Sequence, residues 1–128
     1  MLRDSFFIIE SKSQYTNGLE LNIELNSDHT IYQAHFPGEP ITPGVCQIQI
    51  VTEILEEYLG KSVILSDIKT VKYVAVISPV ETPHIKVLMK KIEVIDDLCK
   101  VNVIFSSNET IFSKMSMTYH VVRNNTSI

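Results

Sequence analysis

One stretch constrains this 128-residue chain more than any other: residues 45–59 hold neither proline nor glycine and are bracketed by both. Thr42-Pro43-Gly44 comes before it, offering a capping hydroxyl and a proline suited to the first helical turn. Gly60 follows as a left-handed stop, with Lys61 beside the negative end of the helix dipole. Ile48, Ile50, Val51, Ile54 and Leu55 spread around the helical wheel, and a helix apolar on most faces must be surrounded by protein. The rest of the chain therefore has to wrap it.

That remainder reads as strands. Leu19, Leu21, Ile23 and Leu25 alternate with Glu20, Asn22 and Glu24, the period of a strand with one buried face. Asn17-Gly18 is a tight-turn signal, so residues 5–25 are predicted as strand, turn and strand. Residues 30–35 are expected to run extended up to His35. Residues 67–78, 84–95 and 99–106 are rich in Val and Ile and broken by turn residues, and the stretch from Ile111 to Val121 again alternates. About six strands and one long helix predict a single α+β domain over residues 1–128, an antiparallel sheet wrapped about a central helix.

Composition narrows the partners. A net charge of −4 and a pI of about 5.5 argue against nucleic-acid binding, which needs a clustered basic surface. Cys46 and Cys99 lack metal-ligand spacing and do not suggest a disulfide framework, and His29, His84 and His120 are isolated, so neither a metal nor a cofactor is expected. Cys46 falls in the first helical turn, where the dipole favours thiolate; a buried structural thiol is the simpler reading. The N-terminal residues lack the pattern of a signal peptide and no run reaches the roughly 18–20 apolar residues of a membrane span, so the cytoplasm is the expected location.

Residues 35–45 concentrate three of the five prolines and two of the four glycines. Such a loop is stiff, and it joins the end of a predicted strand to the start of the helix. His35 is thereby held near the unpaired N–H groups of a helix N-terminus. Donors that polarise a carbonyl beside an imidazole that moves a proton suit chemistry on a carbonyl. On spacing alone, a histidine that merely ends a strand under a stiff loop fits equally well.

The run His35-Phe36-Pro37-Gly38, then Pro40, then Pro43-Gly44-Val45, resembles the signature of the FabA/FabZ-type 3-hydroxyacyl-carrier-protein dehydratases. Val71-Lys72-Tyr73 and Pro79-Val80-Glu81 add a weaker match to that family's basic-aromatic strand and following turn. The resemblance implies a hotdog fold that dimerises through its sheets, with acyl tunnels at the dimer interface. It implies His35 as the acid/base, Gly44 and Val45 as orienters of the thioester carbonyl, and Phe36 and Gly38 as further substrate contacts. The implied partner is an acyl thioester on a carrier protein or coenzyme A. The implied reaction removes water to give a trans-2-enoyl thioester, within fatty-acid or related acyl metabolism.

The sequence departs from that pattern at the helix. Where the family carries an acid, this chain has Gln49; where it commonly shows glutamine, four residues on, this chain has Glu53. An amide cannot exchange a proton at neutral pH, and losing one acid/base partner costs on the order of 10²–10⁴ in rate. Glu53 is the candidate substitute, and a polar stripe of Gln49, Glu53, Glu56 and Glu57 is the plainer alternative. Tyr73 is followed by Val74-Ala75-Val76 rather than further basic residues, although Lys69, Lys72, Lys86, Lys90, Lys91 and Arg123 are available for a carrier-binding patch. Two other functions stay open on this fold: an acyl thioesterase, and a non-catalytic thioester-binding or partner subunit. A homodimer is expected, with a higher oligomer or a heterodimer whose companion supplies the missing carboxylate as alternatives.

Overall fold

The computed structural model describes residues 1–34 and 38–122. In chain order these form β1 (Phe7–Tyr15), β2 (Gly18–Leu25), a short helix α1 (Thr30–Ala34), the long helix α2 (Gly44–Leu59), β3 (Val63–Tyr73), β4 (His84–Ile95), β5 (Leu98–Ser107) and β6 (Thr110–Val121). All strand pairs are antiparallel, in the order β1-β2-β4-β5-β6-β3. The expected α+β architecture of six strands and one long helix is the one observed.

Two-residue turns close the hairpins. Asn17, Asp96 and Asn108 adopt positive φ of 58°, 57° and 51° in the β1–β2, β4–β5 and β5–β6 turns. Asn and Asp tolerate this left-handed region better than other side chains with a Cβ. The alternation then does the packing: Leu19, Leu21, Ile23 and Leu25 of β2 are buried, as are Met115, Met117, Tyr119 and Val121 of β6. Facing them, α2 buries Ile50, Val51, Ile54 and Leu55. Two polar ties fix the helix on β6: Ser113 Oγ donates to Gln47 Oε1 at 2.7 Å, and the Thr52 and Tyr119 hydroxyls meet at 2.9 Å.

Four expectations are corrected. Residues 30–34 are helical, not extended, because the His29 imidazole Nδ1 accepts from Ile31 N–H at 3.0 Å while Asn26 Oδ1 accepts from Asp28 N–H at 3.1 Å. These side chains satisfy donors at a helix entry. The third strand spans Val63–Tyr73 instead of 67–78; beyond it, Val74 and Ala75 N–H turn to the Phe112 carbonyl. Pro43, in extended geometry, takes the N-cap position with no side-chain cap, because the Thr42 hydroxyl is engaged by Tyr32 instead. Finally, α2 is not enclosed within one chain: Val45 is 75% exposed and Gln49, one turn on, is also exposed. Gly60 does stop the helix in the left-handed region, at φ 67°, its N–H bonded to Glu56 O at 2.8 Å.

Candidate active site

The start of α2 is built to present N–H groups. Cys46 and Gln47 N–H both donate to the Pro43 carbonyl, at 3.0 and 3.2 Å, which leaves Gly44 and Val45 ahead of the hydrogen-bond ladder. The approach to this helix start is pinned from two sides. Thr42 N–H donates to Ile77 O at 2.8 Å, and its hydroxyl lies 2.8 Å from the buried Tyr32 hydroxyl. Burial pushes the Tyr32 phenol up to about 12, so it stays a neutral hydrogen-bonding group. Its ring stacks on Phe6 with centroids 4.9 Å apart, anchoring α1 in the core.

Tyr73, at the end of β3, covers Gly44. A Cβ on Gly44 would fall against the Tyr73 hydroxyl and within 2.5 Å of its Cζ. Glycine is thus favoured by the close approach of a half-exposed ring, not by an unusual φ. The Tyr73 ring is half-exposed, and partial desolvation raises its phenol above the ordinary value of 10.0.

One turn further along α2, Gln49 Nε2 donates to Glu53 Oε2 at 2.9 Å. Glu53 is only 6% exposed, yet its carboxylate also accepts from Leu2 N–H at 2.7 Å, on the same oxygen, and from Arg3 N–H at 2.8 Å on Oε1. Arg3 adds a hydrogen-bonded ion pair with Glu57. The N-terminal residues are thereby clamped onto the helix by a buried carboxylate with three donors.

The predicted site residues divide accordingly. His35 and Phe36 lie outside the described residues. Gly38 is exposed, with open space where a Cβ would be. Gly44 and Val45 stand together at the helix start, Gln49 shares their exposed face, and Glu53 is turned under the N-terminal segment. Burial pushes the Cys46 thiol up, away from thiolate and in keeping with a buried structural thiol. Among the described residues no His, Cys, Asp and Glu side chains gather as a metal site. A cavity of about 630 Å³ lies elsewhere, between Glu10, Asn22, His84, Lys86, Asn108 and Phe112. Lys69 and Lys91 share a cavity with Lys100, Asp67 and Glu93, a surface of mixed charge, and Arg123 lies outside the described residues.

Sequence reasoning overlooked the Tyr32–Thr42 tie and the clamp on Leu2 and Arg3. The first carried a faint signal, an Asn26-Ser27-Asp28-His29 turn ahead of Ile31-Tyr32. The second had none, since backbone N–H groups are the partners.

Comparison with known proteins bears on the family and the fold. The family model described as ApeI-like, ApeI dehydratase, matches residues 10–114. Among curated proteins, the 3-hydroxyacyl-[acyl-carrier-protein] dehydratase FabZ of Latilactobacillus sakei is 28% identical over 79 residues, covering 56% of this chain and 55% of that protein. The FabZ of Lactobacillus helveticus is 31% identical over 77 residues, covering 55% of this chain and 51% of that protein. The chain thus spans about half the length of the curated relatives it matches. Among solved structures, the dehydratase heterocomplex ApeI:P from Xenorhabdus doucetiae superposes with a TM-score of 0.66 at 21% identity, over 88% of this chain and 96% of that one. A mutant of a hypothetical thioesterase protein from Streptococcus pneumoniae superposes with a TM-score of 0.64 at 12% identity, over 95% of both chains. The fold is the hotdog fold, and the chain belongs to the ApeI-like dehydratase family.

Proposed function

We propose that this chain dehydrates a 3-hydroxyacyl thioester, carried on an acyl carrier protein or coenzyme A, to the trans-2-enoyl thioester. The observation that carries the reading is the exposed start of α2, where Gly44 and Val45 N–H precede the helical ladder beside Tyr73, in a chain of a dehydratase family. The Gly44 N–H polarises the thioester carbonyl and makes the adjacent α-proton more acidic. His35 removes that proton; the carbon–carbon double bond forms as the 3-hydroxyl leaves, protonated by the same imidazole, and water is released. Phe36, Gly38 and Val45 contact the acyl group, and Gln49 holds the hydroxyl or the departing water. Because an amide carries no exchangeable acid, all proton transfer falls to His35.

The protein acts as a dimer in this reading. Edge strand β3 exposes Ile64, Ile68 and Tyr73, and Val45 and Gln49 form an exposed helix face. A second chain across that edge would cover both and enclose an acyl tunnel. Cytoplasmic action fits two free, buried cysteines and the lack, among the described residues, of a helix long and apolar enough to cross a membrane. A second reading, a subunit that completes its acid/base pair with a different hotdog chain, is favoured by Gln49 at the family's acidic position.

The test incubates the purified protein with 3-hydroxyacyl and trans-2-enoyl thioesters on both carriers, following enoyl interconversion and thiol release. Interconversion abolished by His35→Ala supports dehydration. Thiol release alone points to a thioesterase, and neither activity without a partner chain points to the incomplete subunit.

A further inference from the structure

We propose that Glu53 is a positioning residue that sets which end of the Gln49 amide the acyl site meets. The inference rests on the dehydratase reading above for its function, but on local geometry for its cause. An amide can normally sit either way round, oxygen and nitrogen being nearly the same size. Here it cannot. A carboxylate accepts and does not donate, so only the Nε2 end of Gln49 can face Glu53 Oε2 across 2.9 Å.

The carboxylate itself has no freedom to turn away. Leu2 N–H and Arg3 N–H hold its two oxygens at 2.7 and 2.8 Å, and the group is 6% exposed. A fixed anchor therefore fixes the amide. With Nε2 spent on Glu53, the planar group holds Oε1 on the side away from the anchor, on the exposed helix face shared with Val45. Among the described residues Oε1 has no partner.

The consequence is chemical. The site is offered the amide oxygen, an acceptor suited to a hydrogen-bond donor such as the 3-hydroxyl of a substrate or a water, while one of the two Nε2 protons is held by Glu53. An amide turned the other way would offer two donors and repel that hydrogen. Exchange of acid and amide along the helix thus leaves an acceptor in place at position 49 while moving the charge beneath the N-terminal segment. Glu53 acts through Gln49 and does not touch substrate.

The experiment is a double-mutant cycle on the full chain, with Glu53→Gln, Gln49→Ala and both together. Glu53→Gln keeps the size of the anchor but can face Gln49 with either end, so the amide is free to invert. Dehydration should lose about tenfold in kcat with KM nearly unchanged when Gln49 is present, as expected for one misdirected hydrogen bond. In the Gln49→Ala background the same change should cost less than about twofold. Equal losses in both backgrounds would show that Glu53 matters only for the fold, and the proposal would be overturned. Side-chain amide resonances of Gln49 provide a readout that needs no activity. In the native chain one Nε2 proton should be shifted downfield and slow to exchange, and Glu53→Gln should remove both features. A Gln49 signal indifferent to Glu53 would refute positioning, even if the protein proves an active dehydratase. An inactive protein with the expected resonances would sink the dehydratase reading and leave the positioning intact.

Discussion

Replacing Gln49 with glutamate restores the acid that the dehydratase pattern carries at this position, and the structure says it should do harm by itself. The native amide nitrogen sits 2.9 Å from Glu53 Oε2. A carboxylate there turns a hydrogen bond into a repulsion. At charge separations of about 4 Å and an effective dielectric of about 20, two like charges cost about 4 kcal/mol. Rotation of the exposed new side chain towards water would relieve roughly half, leaving a deficit of about 2 kcal/mol, or on the order of 8 °C in Tm for a domain of this size. The sign with pH follows from linkage. Crowding raises a carboxyl pKa in the folded state, so the penalty is complete above that raised value. It fades as pH falls through it and vanishes below about 4.3, the unfolded glutamate value. Thermal unfolding of Gln49→Glu against the native chain should show a wide gap at pH 8 that closes towards pH 4.5. Adding Glu53→Gln removes one charge and should close the gap between pH 8 and pH 4.5, while its amide nitrogen leaves one of the Leu2 and Arg3 N–H groups without an acceptor at every pH; any gain in dehydration should appear in that double variant. A single variant as stable as the native chain at pH 8 would refute the contact and the reasoning built on it.

Other outcomes are open to direct measurement. Glu53→Ala strands three donors and should cost about 2–4 kcal/mol, with amide exchange at Leu2 and Arg3 accelerating more than at the β6 core. Tyr32→Phe leaves the Thr42 hydroxyl buried without its partner and should cost about 1–2 kcal/mol in urea unfolding, with little change in m. Gly44→Ala should displace the Tyr73 ring at a cost below about 1 kcal/mol, because that half-exposed ring can swing outward, while dehydration falls; adding Tyr73→Ala should remove the steric effect. The His84 pKa is raised from 6.5 by its hydrogen bond to Glu10 and the charges of Glu10 and Glu24. The stability this tie adds is complete below 6.5 and lost as pH rises through the raised value, so His84→Ala should narrow the difference in Tm between pH 6 and pH 8.

The sequence by itself determined the parts whose causes are local. Asn17-Gly18, Asp96-Asp97 and Asn108 made the turns, alternation in β2 and β6 chose the buried face, and Gly60 ended α2. The density of proline and glycine at 35–45 singled out a candidate site, and the Gln49/Glu53 exchange was visible as a departure from a family pattern. What the tertiary structure decided depends on partners distant in the chain. β3 ended early because Phe112 O drew Val74 and Ala75 away, whereas the helical turn at 30–34 has a local cause that no periodicity shows, the His29 imidazole accepting from Ile31 N–H. Glu53, read as a polar stripe or a substitute acid, is committed to backbone N–H groups about fifty residues earlier. No periodicity records such a pairing, because a backbone N–H looks the same at every residue. Gly44 likewise faces a ring from β3 that only folding brings to the helix start.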